Sequence, residues 1–240
     1  MLKFFRNSLT GWKSVFVITS LTALFLGLPN LSGVTGTTEE AGERIDLPEI
    51  EVEEGVAEAI YERVSVREFT DENLKKEEIG HLAWAGEGIT VDGVSGPTRS
   101  SPSAGATDPL KIYLAVSGVE DMEPGIYEYD TENHELVNRV KGDRGEELAG
   151  AALGQQAIAD APVVMLVAAD YERTTSRYGE RGVRYVHIEA GHAAQNMNLM
   201  AEEMGLGAVM IGAFEDEAVV EIAGMDEKEP LLIMPVGYEN

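Results

Sequence analysis

Apolar residues recur at helical spacing in several stretches of the chain. The pattern predicts a helix over residues 50–61 and a second one that Thr70 or Asp71 caps and Gly86 ends. A long helix is predicted over residues 186–204, where apolar positions alternate by four and three. A shorter helical stretch is expected over residues 146–159.

Shorter apolar and alternating runs between these helices predict strands. They cover residues 111–116, 125–129, 136–140, 163–168, 208–211 and 231–236. The second and third strands flank Thr131-Glu132-Asn133, which predicts a hairpin. Residues 88–105 are rich in Gly, Ser and Pro, and we expect a loop there.

The N-terminal segment has the order basic, apolar, small. Lys3, Arg6 and Lys13 precede an apolar run that ends near Leu28, and small residues follow up to Gly36. This order predicts that residues 1–36 are a signal peptide or an uncleaved membrane anchor, with attachment to the membrane through residues 14–28. The protein is therefore expected to be exported or membrane-anchored. An anchored form could also have its domain on the cytoplasmic side. Residues 37–48 are expected to be an acidic leader, and residues 49–240 a single domain.

The charge balance narrows the possible partners. The chain has 43 acidic and 18 basic residues and a formal net charge of -25, which argues against nucleic acid as a ligand because a polyanion would be repelled. Such acidity also suits a halophilic source, which is a hypothesis. With no cysteine, a disulfide framework, a thiolate metal site and a cysteine nucleophile are all excluded.

Three groups able to bind a phosphate recur at every second residue. Alternate side chains of an extended segment point the same way, so Arg63, Ser65 and Arg67 could converge on one anion while Val64 and Val66 pack behind them. The alternative is that the two arginines form surface ion pairs with some of the many carboxylates.

A second candidate is the small-residue stretch over residues 101–109, directly before the strand that starts at Lys111. Small residues with free backbone N–H groups let a chain approach a flat ring or an anion closely. By itself such a stretch is as typical of an ordinary loop.

The order of short motifs along residues 61–237 resembles the FMN-dependent nitroreductase superfamily, and most closely its SagB-type dehydrogenase branch. The motifs are Arg63-x-Ser65-x-Arg67-x-Phe69, residues 82–89, Pro102-Ser103-Ala104-Gly105-Ala106 with Pro109, residues 124–129, residues 178–181, Glu189-Ala190-Gly191-His192-x-x-Gln195-Asn196, residues 205–208, residues 211–214 and Pro235-Val236-Gly237.

The resemblance implies an α+β fold with a mixed central sheet flanked by helices, built as an intertwined homodimer with FMN at the subunit interfaces. It implies that Arg63, Ser65 and Arg67 hold the phosphate and ribityl chain. Pro102, Ser103, Ala104 and Gly105 would contact the isoalloxazine from the partner subunit, and Ile211, Gly212 and Ala213 would line it from the first.

The activity implied is transfer of hydride or electrons between a small-molecule donor, with NAD(P)H as a candidate, and a small organic acceptor. Tyr178 is the candidate catalytic residue. One alternative is an azoline-type dehydrogenase acting on modified peptides, which would need a base where this chain has Arg177, a poor one. Another is an exported flavin-binding protein without catalytic activity.

The histidines do not predict a metal site. His187 and His192 are five residues apart, which places them about 140° from each other around a helix. His192 shares a face with Glu189 and Asn196, so we expect there a buried polar network that stabilises the dimer, and no metal.

Overall fold

The computed structural model describes residues 55–93, 96–226 and 228–240. The predicted signal or anchor, the acidic leader and the start of the first predicted helix lie outside these residues. Among the residues described, no helix combines the length and the apolar character needed to cross a membrane.

Seven α-helices, one short 3-10 helix (Ala104–Ala106) and eight strands are present in the described part of the chain. The helices are α1 (Val56–Glu62), α2 (Lys76–Glu87), α3 (Gly145–Ala151), α4 (Gln156–Asp160), α5 (Tyr171–Tyr178), α6 (Arg181–Glu203) and α7 (Asp216–Ala223). The strands are β1 (Ile89–Gly93), β2 (Gly96–Arg99), β3 (Leu110–Val116), β4 (Gly125–Asp130), β5 (Glu135–Lys141), β6 (Val163–Ala169), β7 (Gly207–Ala208) and β8 (Glu229–Gly237).

Six strands form the central sheet in the order β5-β4-β3-β6-β8-β7, and β1 and β2 form a separate hairpin. All pairings between the named strands are antiparallel. Parallel pairing occurs outside them, in the isolated bridges Ser65–Ala208 and Leu74–Val119. The predicted α+β fold is confirmed.

The sheet is covered by helices on both faces, which explains why its central strands β3 and β6 are apolar except for Lys111 near the start of β3. Along β3, Ile112 and Leu114 face the cluster that contains α2 and α6, whereas Tyr113 and Ala115 face the cluster of α3, α4 and α7. All seven residues of β6 are buried. A strand buried on both faces has no solvent side and therefore no polar alternation.

Helix α6 is the main support of one face. It begins at Arg181, five residues before the predicted start. Four residues of the predicted apolar stripe are buried, namely Val186, Ala190, Ala193 and Met197, whereas the predicted Met200 and Met204 are half-buried. The polar first turn carries no apolar periodicity, so the sequence pattern could not reveal it. The strands predicted as β3 to β6 and β8 are also confirmed.

Several local predictions differ from the structure. The strand predicted over residues 208–211 is the two-residue β7 followed by an isolated bridge at Ile211. Helix α2 begins at Lys76, where the Glu78 carboxylate accepts the Lys75 N–H at 2.7 Å, so neither Thr70 nor Asp71 caps it. The expected loop over residues 88–105 contains the β1–β2 hairpin. The expected helix over residues 146–159 is broken into two by left-handed residues at its centre, and α5 and α7 were not predicted.

Candidate functional site

An extended segment that follows α1 runs along the edge strand β7. The backbone is already extended at Arg63, with φ -51° and ψ 127°. Ser65 forms a parallel bridge with Ala208, and the Val66 N–H donates to the Ala208 carbonyl at 3.0 Å. The segment is thus extended at Arg63 and paired with β7 at Ser65, which is the backbone that the predicted alternation of Arg63, Ser65 and Arg67 requires.

The segment lies directly against β7 because residue 207 is glycine. A Cβ atom there would lie 2.6 Å from the Cβ of Val66, too close for any side chain. Val66 is buried, but Val64 is 55% exposed, so the prediction that both valines pack behind the polar residues is wrong for Val64. Strand β7 has two residues and covers one valine only.

The two arginines of the segment are available to a ligand. Within the described part of the chain, neither guanidinium forms an ion pair with a carboxylate. The Nε atom of Arg63 is buried without a hydrogen-bond partner among these residues. Arg67 is exposed, and its Nη1 donates to the Ser65 carbonyl at 3.4 Å. This arrangement fits an anion better than the alternative of surface ion pairs.

The residues predicted to line the flavin ring from the first subunit follow at the same edge of the sheet. Ile211 is buried and bridges Ile233 of β8, whereas Gly212 and Ala213 are exposed. A Cβ built on Gly212 meets nothing within 4 Å, so the space over this backbone is open. Segment 63–67 and residues 211–213 thus form one group, which we call the edge group.

The residues predicted to contact the ring from the partner subunit form a second group over helix α5. Arg177 Nη1 donates to the Gly105 carbonyl at 2.8 Å, and Arg173 Nε donates to the Thr107 carbonyl at 2.9 Å. The hydroxyls of Thr107 and Thr174 lie 2.8 Å apart. We call residues 102–108 the ring loop, and these contacts hold its C-terminal half.

Tyr178, the predicted catalytic residue, lies against the ring loop. A Cβ atom on Gly105 would overlap the Tyr178 hydroxyl, and φ of Gly105 is 64°, so both space and backbone require glycine there. The Tyr178 ring packs edge-on against Tyr185, with centroids 5.2 Å apart. The predicted catalytic residue and the predicted ring contacts are therefore brought together.

One chain does not unite the ring loop with the edge group. Cavities of about 510 Å³ and about 260 Å³ flank the ring loop, the first toward β2 and the second toward α6. The lining of each cavity includes Pro102 and Ser103 and contains no member of the edge group. This separation agrees with the expectation that the two groups meet across subunits, which stays a prediction.

Two buried carboxyl groups beneath the ring loop were not predicted as site residues. Glu189 of α6 is 2% exposed, and Glu87 at the end of α2 is 3% exposed. The Ala104 N–H donates to Glu189 Oε2 at 3.4 Å. Burial raises the pKa of Glu189 to about 7, and burial together with repulsion from Glu189 raises that of Glu87 to about 8. The sequence signal was a glutamate within the apolar stripe of α6.

The polar network predicted around Glu189 is present only in part. Asn196 Nδ2 donates to the Ser100 carbonyl at 3.0 Å, and Ser101, which is buried, donates to the Gly86 carbonyl at 2.8 Å. His192 is exposed in the single chain, so its place in a network buried by dimer formation stays a prediction. Among residues 55–93, 96–226 and 228–240, no cluster of three or more potential metal ligands is found.

Residues 60–238 match the sequence model of the Nitroreductase family. A Methanocaldococcus jannaschii protein named "Putative nitroreductase MJ1384" is 47% identical over 193 residues, which cover 80% of this chain and 95% of that protein.

Two further comparisons involve longer proteins. The trifolitoxin operon protein TfxC of Rhizobium leguminosarum bv. trifolii is 24% identical over 195 residues, which cover 76% of this chain and 55% of TfxC. This chain also superposes on the crystal structure of a "putative nitroreductase" from Anabaena variabilis. The TM-score is 0.66 and the sequence identity 27%, and the superposition covers 77% of this chain and 38% of the other. The chain thus spans about half or less of these two proteins.

Proposed function

Because the chain belongs to the nitroreductase family, we propose that it is an FMN-dependent oxidoreductase. The observation that carries the proposal is the edge group: two arginines free of ion pairs with the described carboxylates flank the bridge to β7, and four residues beyond that bridge the backbone at Gly212 is open. Bound FMN would supply the chemistry, since the flavin itself accepts and gives up hydride or electrons.

The edge group would hold the cofactor. Arg63 and Arg67 would neutralise the phosphate and Ser65 would donate its hydroxyl, because charge-assisted hydrogen bonds to phosphate are the strongest available to side chains. The exposed N–H groups of Gly212 and Ala213 would stabilise negative charge on the reduced ring, as preorganised dipoles do.

We further propose that the protein is a homodimer in which the partner's ring loop closes the site. Pro102, Ser103, Ala104 and Gly105 would pack on the ring there and exclude water. Tyr178, fixed against Gly105, would orient the substrate or hold a proton at its hydroxyl. A small organic acceptor and a donor such as NAD(P)H would occupy the site in turn.

The visible spectrum of the purified domain, residues 37–240, tests this function. The protein is expected to be yellow, or to become yellow with added FMN, and the double variant Arg63→Ala, Arg67→Ala is expected to bind FMN at least about 100-fold more weakly, since two charged hydrogen-bond donors are lost. Arg184→Ala, which changes an exposed arginine of α6, is the control. A colourless protein that stays colourless in excess FMN contradicts the proposal.

Anaerobic addition of NADPH or NADH separates a reductase from a simple flavin binder. Bleaching of the bound flavin is the expected result. A flavin that no pyridine nucleotide or other physiological donor reduces would favour the non-catalytic binding protein.

A second candidate is an azoline-type dehydrogenase of the SagB branch acting on modified peptides. The similarity to TfxC, whose name places it in a trifolitoxin operon, favours it. Arg177 argues against this candidate. Its guanidinium already donates to the Gly105 carbonyl, and arginine stays protonated, so it makes a poor base. Oxidation of an azoline peptide by the purified protein would reverse this ranking.

We also propose that residues 14–28 direct the protein to the membrane, either as a signal for export or as an anchor. The support is the apolar run beside clustered positive charge. Cell fractionation with antibody against the domain tests it, and full-length protein found wholly in the soluble cytoplasm contradicts it.

A further inference from the structure

The ring loop has a backbone conformation that its sequence does not favour. Ala106 and Asp108 have positive φ angles of 51° and 43°, and Gly105 has a φ of 64°. Left-handed backbone is unfavourable for residues with a Cβ, and it persists at functional sites only where the surroundings over-determine it. Something must therefore hold this loop in place.

The two halves of the loop are held by different groups. Contacts from α5 hold the half around Thr107, through Arg173, Thr174 and Arg177. In the other half, which contains the predicted ring contacts, the Ala104 N–H donates to Glu189 Oε2 at 3.4 Å. Ser103 Oγ accepts the Asp108 N–H at 2.9 Å, which ties that half to the rest of the loop.

We propose that Glu189 is a positioning residue, whose ionised carboxylate fixes Ala104 and so sets the ring loop in the conformation that receives the flavin. The inference rests on the proposed function, because the flavin contact of the loop is part of that function. Glu189 acts through the loop and touches no reacting atom.

The chemistry around Glu189 supports a carboxylate that changes charge near neutral pH. Its Oε1 atom is buried without a hydrogen-bond partner among the described residues, so the ionised form is incompletely solvated. Burial accordingly raises the pKa of Glu189 to about 7, against the opposing effect of hydrogen bonds from Ser103 and Ala104, which favour the ionised form. Glu189 also lines the cavity of about 260 Å³ beside α6, which opens a route for protons.

Several titratable or charged groups face this carboxyl pair. They are Glu87 at the end of α2, Arg99 of β2, Asp108 of the ring loop, Lys111 of β3, and Tyr185 and His192 of α6 itself. Asp108 raises the pKa of both buried carboxyls, and Arg99 and Lys111 lower that of Glu87.

Glu87 and Glu189 are coupled. Burial raises the pKa of both carboxyls, and repulsion from Glu189 raises that of Glu87 further. An amide at position 189 removes the carboxylate that accepts the Ala104 N–H and should abolish the pH dependence of the loop, whereas an amide at position 87 leaves that carboxylate in place.

Hydrogen exchange of the ring loop in the flavin-free protein measures how firmly Glu189 holds the loop at each pH. As pH falls through about 7, Glu189 gains a proton and its bond to the Ala104 N–H weakens, since bonds to an ionised acceptor are roughly twice as strong. After correction for the intrinsic pH dependence of exchange, protection of the peptide that spans residues 100–110 is expected to fall about tenfold between pH 8 and pH 6.

Three variants and one control distinguish a positioning role of the Glu189 carboxylate from a purely structural role of this residue. Glu189→Gln keeps an oxygen acceptor and is expected to lose the transition, while Glu87→Gln is expected to retain it. Ser103→Ala removes a hydrogen bond that favours the ionised form, so the transition should move to higher pH. Glu203→Gln, at an exposed position of the same helix, should behave as the native protein does.

FMN titrations over the same pH range connect the loop to the cofactor. The ratio of Kd for Glu189→Gln to Kd for the native protein is expected to rise several-fold from pH 6 to pH 8, and taking the ratio cancels the titration of the FMN phosphate itself. A ratio that does not change with pH overturns the proposal.

A flat native exchange profile, or a transition that persists in Glu189→Gln, also overturns the proposal. If Glu189→Gln does not fold, the native profile and the direction of the Ser103→Ala shift still decide. A protein that shows the exchange transition but never binds FMN retains the loop-positioning role of Glu189 and refutes the proposed function, so the two failures are distinguishable.

Discussion

At the scale of single residues, contact distances explain why particular positions cannot vary. Gly207 admits the segment that carries the three candidate phosphate ligands, and Gly105 admits the Tyr178 hydroxyl. Neither requirement could be read from the sequence, because the conflicting atom in each case lies more than seventy residues away along the chain.

Replacement of Gly207 by alanine is expected to weaken FMN binding by about tenfold or more, because the new Cβ would displace Val66 and tilt the neighbouring arginines. Fluorescence titration of the apoprotein with FMN measures the effect. Gly150→Ala is the matched control, since a Cβ there meets nothing within 4 Å. Equal FMN affinity in both variants would show that the segment does not hold the phosphate.

Glu87 is expected to make the protein less stable as pH rises. Its pKa is about 8 in the folded protein and near 4.5 when exposed, so the folded state binds more protons and the free energy of unfolding falls between these pH values, by on the order of 4 kcal/mol. Urea unfolding of Glu87→Gln at pH 5 and pH 8.5 should show a smaller loss than in the native protein.

Glu77→Gln, at an exposed position of α2, should retain the native pH dependence. If Glu87→Gln loses as much stability as the native protein does over this range, Glu87 is not the group that titrates.

At the scale of elements, helix α6 joins the sheet to the ring loop. Its apolar stripe packs on α2 and the central strands, and Glu189 on the same helix reaches Ala104. The stripe was predictable because burial of one face imposes helical periodicity. The first turn of α6, helix α5 and the β1–β2 hairpin were not, since their positions depend on contacts made elsewhere in the chain.

Packing between α2 and α6 can be tested with a double-mutant cycle. Met197→Ala should reduce the free energy of unfolding by about 2–5 kcal/mol through the cavity it leaves. Gly86→Ala should also destabilise, because its Cβ would lie 3.1 Å from the Met197 sulfur and 3.2 Å from Ile112.

The double variant Gly86→Ala, Met197→Ala should be more stable than the sum of the two single losses implies, because the new methyl group enters the vacated space. Additive losses, measured by urea unfolding, would mean that the two residues do not share this contact.

At the scale of the whole molecule, one chain presents the edge group and the ring loop as separate surfaces. The proposed homodimer would join them at two equivalent sites. Complementation between two defective chains tests this arrangement in a way that single variants cannot.

The chain with Arg63→Ala and Arg67→Ala would be co-expressed with a differently tagged chain carrying Ala104→Trp, which blocks the ring loop. Each homodimer is expected to bind no FMN. The hybrid dimer, isolated through both tags, is expected to bind one FMN, because one of its sites combines the intact arginines of one chain with the intact loop of the other. A hybrid without FMN, or a monomeric protein in sedimentation, would contradict shared sites.

The sequence by itself determined the apolar strands, the stripe of α6 and the alternation of Arg63, Ser65 and Arg67, since these depend on local periodicity and on the burial of one face. The tertiary structure alone decided that β7 lies beside that alternation, that Tyr178 meets Gly105, and that Glu87 and Glu189 share one buried region. Each of these depends on residues far apart in the chain, whose proximity is set by how the sheet is ordered and how helices cover it.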